Sequence, residues 1–332
     1  LAPLIGVYGM SLAVALLAVL LVIILRGHRK QQLLATVTAG CILLASWVSG
    51  GLRFVEPAGA PINIALLQGN IALSEKWKPG ASSKIIAHYL DLSRRAVDSS
   101  AVIVWPEGAI PDSWQRVSFW LQPQLPRRQD GSLPDYLIGT IDSPSQGSAA
   151  GIDTYYNAAI TVSEKEGENT TNGIYRKQHL VPFGEFLPFK PVFGWLIDFL
   201  KIPMSDFSSW QGKQPDVSLA GWPAAVSICY EDAFGEELAT TADEAAFLVN
   251  VSEDAWFGDS LAPHQHLQIA RVRAAEAGRY LLRATNTGIS AVIDQRGRVT
   301  ARVPQFSPQV LRSEATGFEG LTPYGRWGDW PT

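Results

Sequence analysis

The chain has 332 residues, 47% of them hydrophobic and only 17% charged, with a formal net charge of −4. That length permits more than one domain, and the mild acidity, with no basic run carrying interleaved aromatics, argues against a nucleic-acid partner. The two cysteines, Cys41 in an apolar run and Cys229 far along the chain, argue against a disulfide framework and a cysteine-bound metal, and nothing implies a cofactor.

Residues 4–25 form an uncharged apolar run and residues 33–52 a second, each of about 20 residues, enough to cross a bilayer core. Arg26-Gly27-His28-Arg29-Lys30 joins them, so residues 1–55 read as a transmembrane hairpin whose basic loop lies in the cytoplasm. The chain after Leu52 then lies on the opposite side, the periplasm in a Gram-negative cell. A buried helical hairpin of a soluble protein is the alternative. The start at Leu1 rather than Met suggests a piece of a longer chain.

Glu56-Pro57-Ala58-Gly59-Ala60-Pro61 reads as a linker. A second domain spans 62–318, with a terminal segment at 319–332. Strands are predicted at 62–68, 101–105, 135–141, 155–162, 174–177, 224–229, 245–250, 281–284 and 289–293, with a polar turn over 164–173. A helix is predicted over 82–97, with Ile85, Ile86, Tyr89, Leu90 and Val97 on one face. Another, over 263–278, ends at a glycine. Interleaved strands and helices point to an α/β or layered α/β fold. Residues 181–210 break the pattern: they are rich in Phe, Trp and Pro and poor in charge. This stretch reads as a lid or arm that rests on the bilayer and receives a lipid chain, with an elaborated core segment as the alternative.

Three predicted strands end in a reactive residue. Val102-Ile103-Val104-Trp105-Pro106-Glu107 ends in a carboxylate, Ile174-Tyr175-Arg176-Lys177 in an amine and Ile228-Cys229 in a thiol. Strand ends of one α/β sheet converge on one rim, so the three can meet. A carboxylate whose pKa is raised by burial can deprotonate a thiol, and a lysine can stabilise the oxyanion formed on attack. A helix is expected from Phe234-Gly235-Glu236-Glu237-Leu238, and its dipole would favour thiolate at Cys229. A buried structural cysteine is the ordinary alternative, and His179 is a rival base. His264 and His266 are two apart and face different ways on a helix, against a metal role.

Trp-Pro-Glu-Gly-Ala-Ile-Pro around Glu107, Tyr-Arg-Lys-Gln-His-Leu-Val-Pro-Phe-Gly-Glu around Lys177 and Ile-Cys-Tyr-Glu around Cys229 resemble the Glu–Lys–Cys triad of the nitrilase superfamily. Within it, Asn250-Val251-Ser252-Glu253-Asp254-Ala255-Trp256-Phe257-Gly258-Asp259-Ser260, Gln265-His266-Leu267-Gln268, Arg271-Val272-Arg273-Ala274 and Arg283-Ala284-Thr285-Asn286-Thr287-Gly288-Ile289 are similar to signatures of the apolipoprotein N-acyltransferase family. The resemblance covers essentially the whole chain. It implies a nitrilase-like αββα sandwich behind the transmembrane hairpin, in the bacterial inner membrane with the catalytic domain on the periplasmic side. It implies transfer of an acyl chain from a phospholipid to the N-terminal amine of a diacylglyceryl-cysteine lipoprotein, through a thioester on Cys229. Glu107 would be the base and Lys177 the oxyanion partner. Glu185 matches a further essential carboxylate, and Trp77, Tyr230 and Glu231 match positions near the pocket. The family's earlier helices would precede Leu1 and a final one would come after Pro331. The chain departs from the family at Glu253, where Asn is usual, and at Gly108, where Thr is usual. The Glu253 charge is expected to raise the pKa of a neighbouring carboxylate or thiol. The alternatives are a nitrilase-type amidase acting on a small amide and a membrane-anchored binding module with a degenerate site.

Overall fold

Residue parity along the buried strands sets the layering. The computed structural model describes residues 1–144, 154–182, 184–186, 207–215 and 217–330. Two helices come first, α1 (Ala2–Arg26) and α2 (Arg29–Ser49), both long and apolar enough to cross a membrane. Their linkage is shorter than the basic loop read from sequence: Arg26 closes α1 and Arg29 opens α2, leaving Gly27 and His28 between. Inside α1, Gly6 breaks the helix with φ 62° and ψ −172°.

β1 (Glu56–Pro57) precedes β2 (Ile62–Gln68), α3 (Leu73–Lys76), α4 (Ala81–Ala96), β3 (Val102–Trp105) and α5 (Trp114–Leu121). β4 (Asp135–Asp142), β5 (Tyr156–Lys165) and β6 (Glu168–Arg176) complete the first half. The second half holds β7 (Val217–Leu219), β8 (Trp222–Ile228), α6 (Gly235–Thr241), β9 (Phe247–Ser252), α7 (Ala262–Ala277) and β10 (Tyr280–Thr285). β11 (Ala291–Ile293), β12 (Val299–Arg302), β13 (Gln309–Ala315), β14 (Phe318–Glu319) and α8 (Pro323–Trp327) close it.

Among the described residues these strands build two six-stranded sheets, ordered β13-β2-β3-β4-β5-β6 and β12-β11-β10-β9-β8-β7, and β1 pairs with β14 in a separate two-stranded sheet. In β2, Ile64 and Leu66 enter the core between the sheets, where they join Val226, Ile228, Val249 and Leu282. Ala65 and Leu67 face the other way, onto Ile85, Ile86, Tyr89 and Leu90 of α4. The outer face of the second sheet, with Leu248, Leu281 and Ile293, is covered by Leu267, Ala270 and Ala274 of α7. Strands buried on both faces read as continuous apolar runs, and helices must cover the outer faces. The result is an αββα sandwich.

The polar turn read over 164–173 is mostly strand. β5 and β6 pair from Ala158↔Arg176 to Lys165↔Glu168, leaving a two-residue tip in which Glu166 has φ 54° and Gly167 φ 84°. Two left-handed residues give a turn whose twist suits a tight hairpin. Most of the arm read at 181–210 falls on residues 183 and 187–206, which lie outside the described residues.

Candidate active site

Glu107 lies just past β3, Lys177 directly after β6 and Cys229 directly after β8. β3 and β6 lie in one sheet and β8 in the other. The rim read from sequence as the edge of one sheet is therefore the seam between two. A sandwich brings the ends of facing strands within side-chain reach, as one sheet would. The loop carrying Glu107 crosses β4 so closely that a Cβ on Gly139 would lie 2.1 Å from the Pro106 carbonyl oxygen.

The three side chains share a cavity of about 550 Å³. Trp77, Glu185 and Tyr230 also line it. Glu231 does not: its carboxylate turns away to accept from the amides of Ile228 (2.7 Å), Gln178 (2.7 Å) and His179 (3.1 Å) and from the Tyr175 hydroxyl (2.9 Å). It braces the end of β8 against the end of β6. The rival base His179 is outside the cavity, its Nε2 2.8 Å from Glu237 and its ring stacked on Phe234.

Lys177 is fully buried. Its Nζ lies 2.8 Å from Glu185 and 3.5 Å from Glu107 Oε1. Asn157 donates to Glu107 Oε1 at 2.6 Å and to Glu185 Oε1 at 2.7 Å. Glu107 Oε2 is buried with no hydrogen-bond partner, which leaves one carboxylate oxygen free to take a proton. Burial raises the Glu107 pKa against the pull of Lys177, and the Glu185 charge raises it further. Burial disfavours charge on Lys177, but Glu107 and Glu185 outweigh it and hold the amine protonated.

Cys229 behaves otherwise than the sequence suggested. Burial, then the Glu107 charge, pushes the thiol well above its ordinary pKa, and Lys177 offsets only part of this. The residue opens a 3₁₀ turn, Cys229–Ala233, and α6 begins only at Gly235, so the helix start is too distant to stabilise a thiolate. Held in this way as a thiol, Cys229 would need a base before it could act as a nucleophile. Glu253, expected to load the site with charge, spends it on Lys76 at 2.6 Å and also accepts from Asn286 at 2.8 Å. Lys76 in turn donates to the Glu107 carbonyl at 3.2 Å.

The sequence reading gave no role to Asn157 or Lys76, nor did it join the residues of a buried polar group behind Cys229. In that group Arg283 donates to Asn250 (2.6 Å), Asp254 (3.1 Å) and Asp232 (3.3 Å), and His266 sits between the two aspartates. A signal was present: an arginine in Leu281-Leu282-Arg283-Ala284, inside a buried strand, demands buried acceptors. Among the described residues no group of three or more His, Cys, Asp or Glu is placed to hold a metal ion.

Residues 136–315 match the family model described as carbon-nitrogen hydrolase. The chain is similar to apolipoprotein N-acyltransferases of Methylococcus capsulatus, 43% identical over 99% of this chain, and of Nitrosomonas europaea, 41% identical over 99%. It spans 63% of the length of each. Among solved structures, a carbon-nitrogen hydrolase from Helicobacter pylori superposes with TM-score 0.55 at 15% identity, over 76% of this chain and 88% of that one. Nit3 of Saccharomyces cerevisiae, a member of branch 10 of the nitrilase superfamily, gives 0.54 at 17%, over 80% and 92%. These two likenesses concern the fold.

Proposed function

The chain belongs to the carbon-nitrogen hydrolase family, and we propose that it is the catalytic part of a membrane N-acyltransferase. In this reading the acyl chain moves from a phospholipid to the N-terminal amine of a diacylglyceryl-cysteine lipoprotein. One observation carries the proposal: the Cys229 thiol shares an apolar cavity with Glu107, whose Oε2 has no partner. Two N-terminal helices suited to a membrane and relatives named apolipoprotein N-acyltransferase support the lipid substrate.

Glu107 takes the thiol proton, and the Cys229 sulfur attacks the ester carbonyl of the phospholipid. The developing oxyanion gains from the Lys177 ammonium, held in place by Glu185. The C–O bond breaks, the leaving alkoxide takes the proton from Glu107, and lysophospholipid departs. The lipoprotein amine then attacks the thioester and passes a proton to Glu107. The C–S bond breaks, and the thiol regains its proton. Apolar walls limit competing hydrolysis. Trp256 and Phe257 line the cavity and are exposed; in the proposal they meet the bilayer on the periplasmic side of the inner membrane.

Intact mass analysis after incubation with phospholipid is expected to show one acyl group on Cys229. Cys229→Ala should show none, and a diacylglyceryl-cysteine peptide should remove the acyl group. Absence of the adduct, or its loss to water as fast as to the peptide amine, defeats the proposal; the second result points to an amidase-type enzyme.

A further inference from the structure

Cys229 carries φ 54°, in the left-handed region that a residue with a Cβ enters only when its surroundings hold it there. Something must therefore fix the turn that presents the sulfur. Its carbonyl oxygen receives two side-chain donors. Asn250 Nδ2 lies at 3.1 Å and His266 Nε2 at 3.3 Å. The Asn250 amide is oriented by Arg283, which donates to its oxygen at 2.6 Å and so turns the NH₂ toward Cys229. His266 is held at both ends, with Nδ1 2.9 Å from Asp254 Oδ1 and Nε2 3.1 Å from Asp232 Oδ1.

Both ring nitrogens thus face only acceptors. A neutral imidazole has one N–H and would set a lone pair against a carboxylate; the imidazolium satisfies both contacts. We propose that His266 is a positioning residue for the nucleophile, bridging Asp232 and Asp254 and donating to the Cys229 carbonyl so that the strained turn keeps the sulfur in line with the acyl carbon. The inference rests on Cys229 being the nucleophile of the proposed reaction, not on the identity of the acyl donor.

The charged and titratable groups facing His266 are Asp232 from the turn after β8, Asp254 from the loop after β9, Arg283 from β10 and the Cys229 residue itself. Burial and Arg283 oppose the imidazolium charge; the aspartates outweigh them and raise its pKa to about 9. The clamp is therefore complete below that pH; above it the neutral ring keeps one N–H, which cannot serve Asp254 and the Cys229 side at once, so the clamp weakens as pH rises through that value.

The test uses the full-length membrane protein and a p-nitrophenyl ester. The Cys229 sulfur attacks the ester carbonyl, nitrophenolate leaves, and Glu107 keeps the thiol proton. The burst of nitrophenolate therefore reports formation of the acyl-enzyme whether or not phospholipid is the donor. The wild-type burst rate is expected to fall as pH rises through about 9. His266→Gln should slow the burst at neutral pH roughly 10- to 100-fold, the scale of an ångström's misplacement, and abolish the alkaline fall. Asp254→Asn should move that fall to lower pH by about one unit or more, because it removes one of the charges holding the imidazolium. The proposal is overturned by a wild-type burst that does not fall through that range, a His266→Gln burst within about twofold of wild type, or an Asp254→Asn fall at the wild-type pH. A normal burst with the ester but no acylation by phospholipid would instead fail the lipid donor and leave the clamp standing.

Discussion

A lysine ammonium with no exposed surface lies between two carboxylates, and that arrangement sets what can be changed at Lys177. Replacing it by Met keeps the volume and strands Glu107 and Glu185 in a site built for a cation. Breaking a buried ion pair from one side costs about 3–5 kcal/mol. Lys177→Met is therefore expected to lose acylation and also much stability. Adding Glu185→Gln should restore about 1–3 kcal/mol of it, because residues in one network couple on that scale, without restoring acylation. Denaturant melts of the two single variants and the double decide this; strictly additive losses would mean that Lys177 and Glu185 do not act as a unit. The residue types at this site were legible because each ends a predicted strand. Their protonation states were not. The Cys229 pKa depends on burial and on Glu107, over a hundred positions earlier in the chain, and no local pattern carries that distance. The same separation hid the pairing of Lys76 with Glu253.

At the scale of elements, apolar runs marked most strands, the 3.6-residue period marked α4 and a terminal glycine marked the end of α7. Short pieces without a strong pattern, such as α3, β7 and β14, were missed, since their order comes from packing rather than from their own sequence. Sheet membership was illegible for a physical reason: two sheets with both faces buried give the same apolar runs as one. Gly139 belongs to this scale. It reads as an ordinary strand glycine, which normally weakens a strand, yet it is the place where the loop bearing Glu107 crosses β4. The clashing atoms are backbone on both sides, so no flexible side chain can yield. Gly139→Ala is expected to cost about 2–4 kcal/mol, in the range reserved for core overpacking and strain. Displacement of the Glu107 loop should also slow acylation, by roughly 100-fold. Denaturant melting and the nitrophenolate burst measure the two effects; wild-type values for both would show that the crossing tolerates a methyl group.

Across the whole molecule, α7 joins the helical hairpin to the Cys229 turn. His266 near its start touches the Cys229 carbonyl, and Glu276 near its end accepts the Val7 amide of α1 at 2.7 Å. That amide is available because Gly6 leaves helical conformation and interrupts the ladder that would otherwise satisfy it. Glycine is required there for a second reason: a Cβ at Gly6 would lie 2.2 Å from Cε2 of Tyr324, the buried ring of α8. The start of α1 is thus seated on α7 and α8 by one hydrogen bond and one close approach that only glycine permits. Gly6→Val meets both penalties, a β-branched residue at positive φ and a collision with a buried ring, each worth about 1–3 kcal/mol. Gly40→Val is the matched control, since Gly40 lies in α2 with nothing within 4 Å of the position its Cβ would take. In detergent, Gly6→Val is expected to melt several degrees below wild type and Gly40→Val close to it. Protease cleavage between the hairpin and β2 should rise in the first variant alone, because undocking α1 exposes the connection. Equal melting of the two variants would show that the hairpin is seated by its apolar surface in general and not by the joint at Gly6.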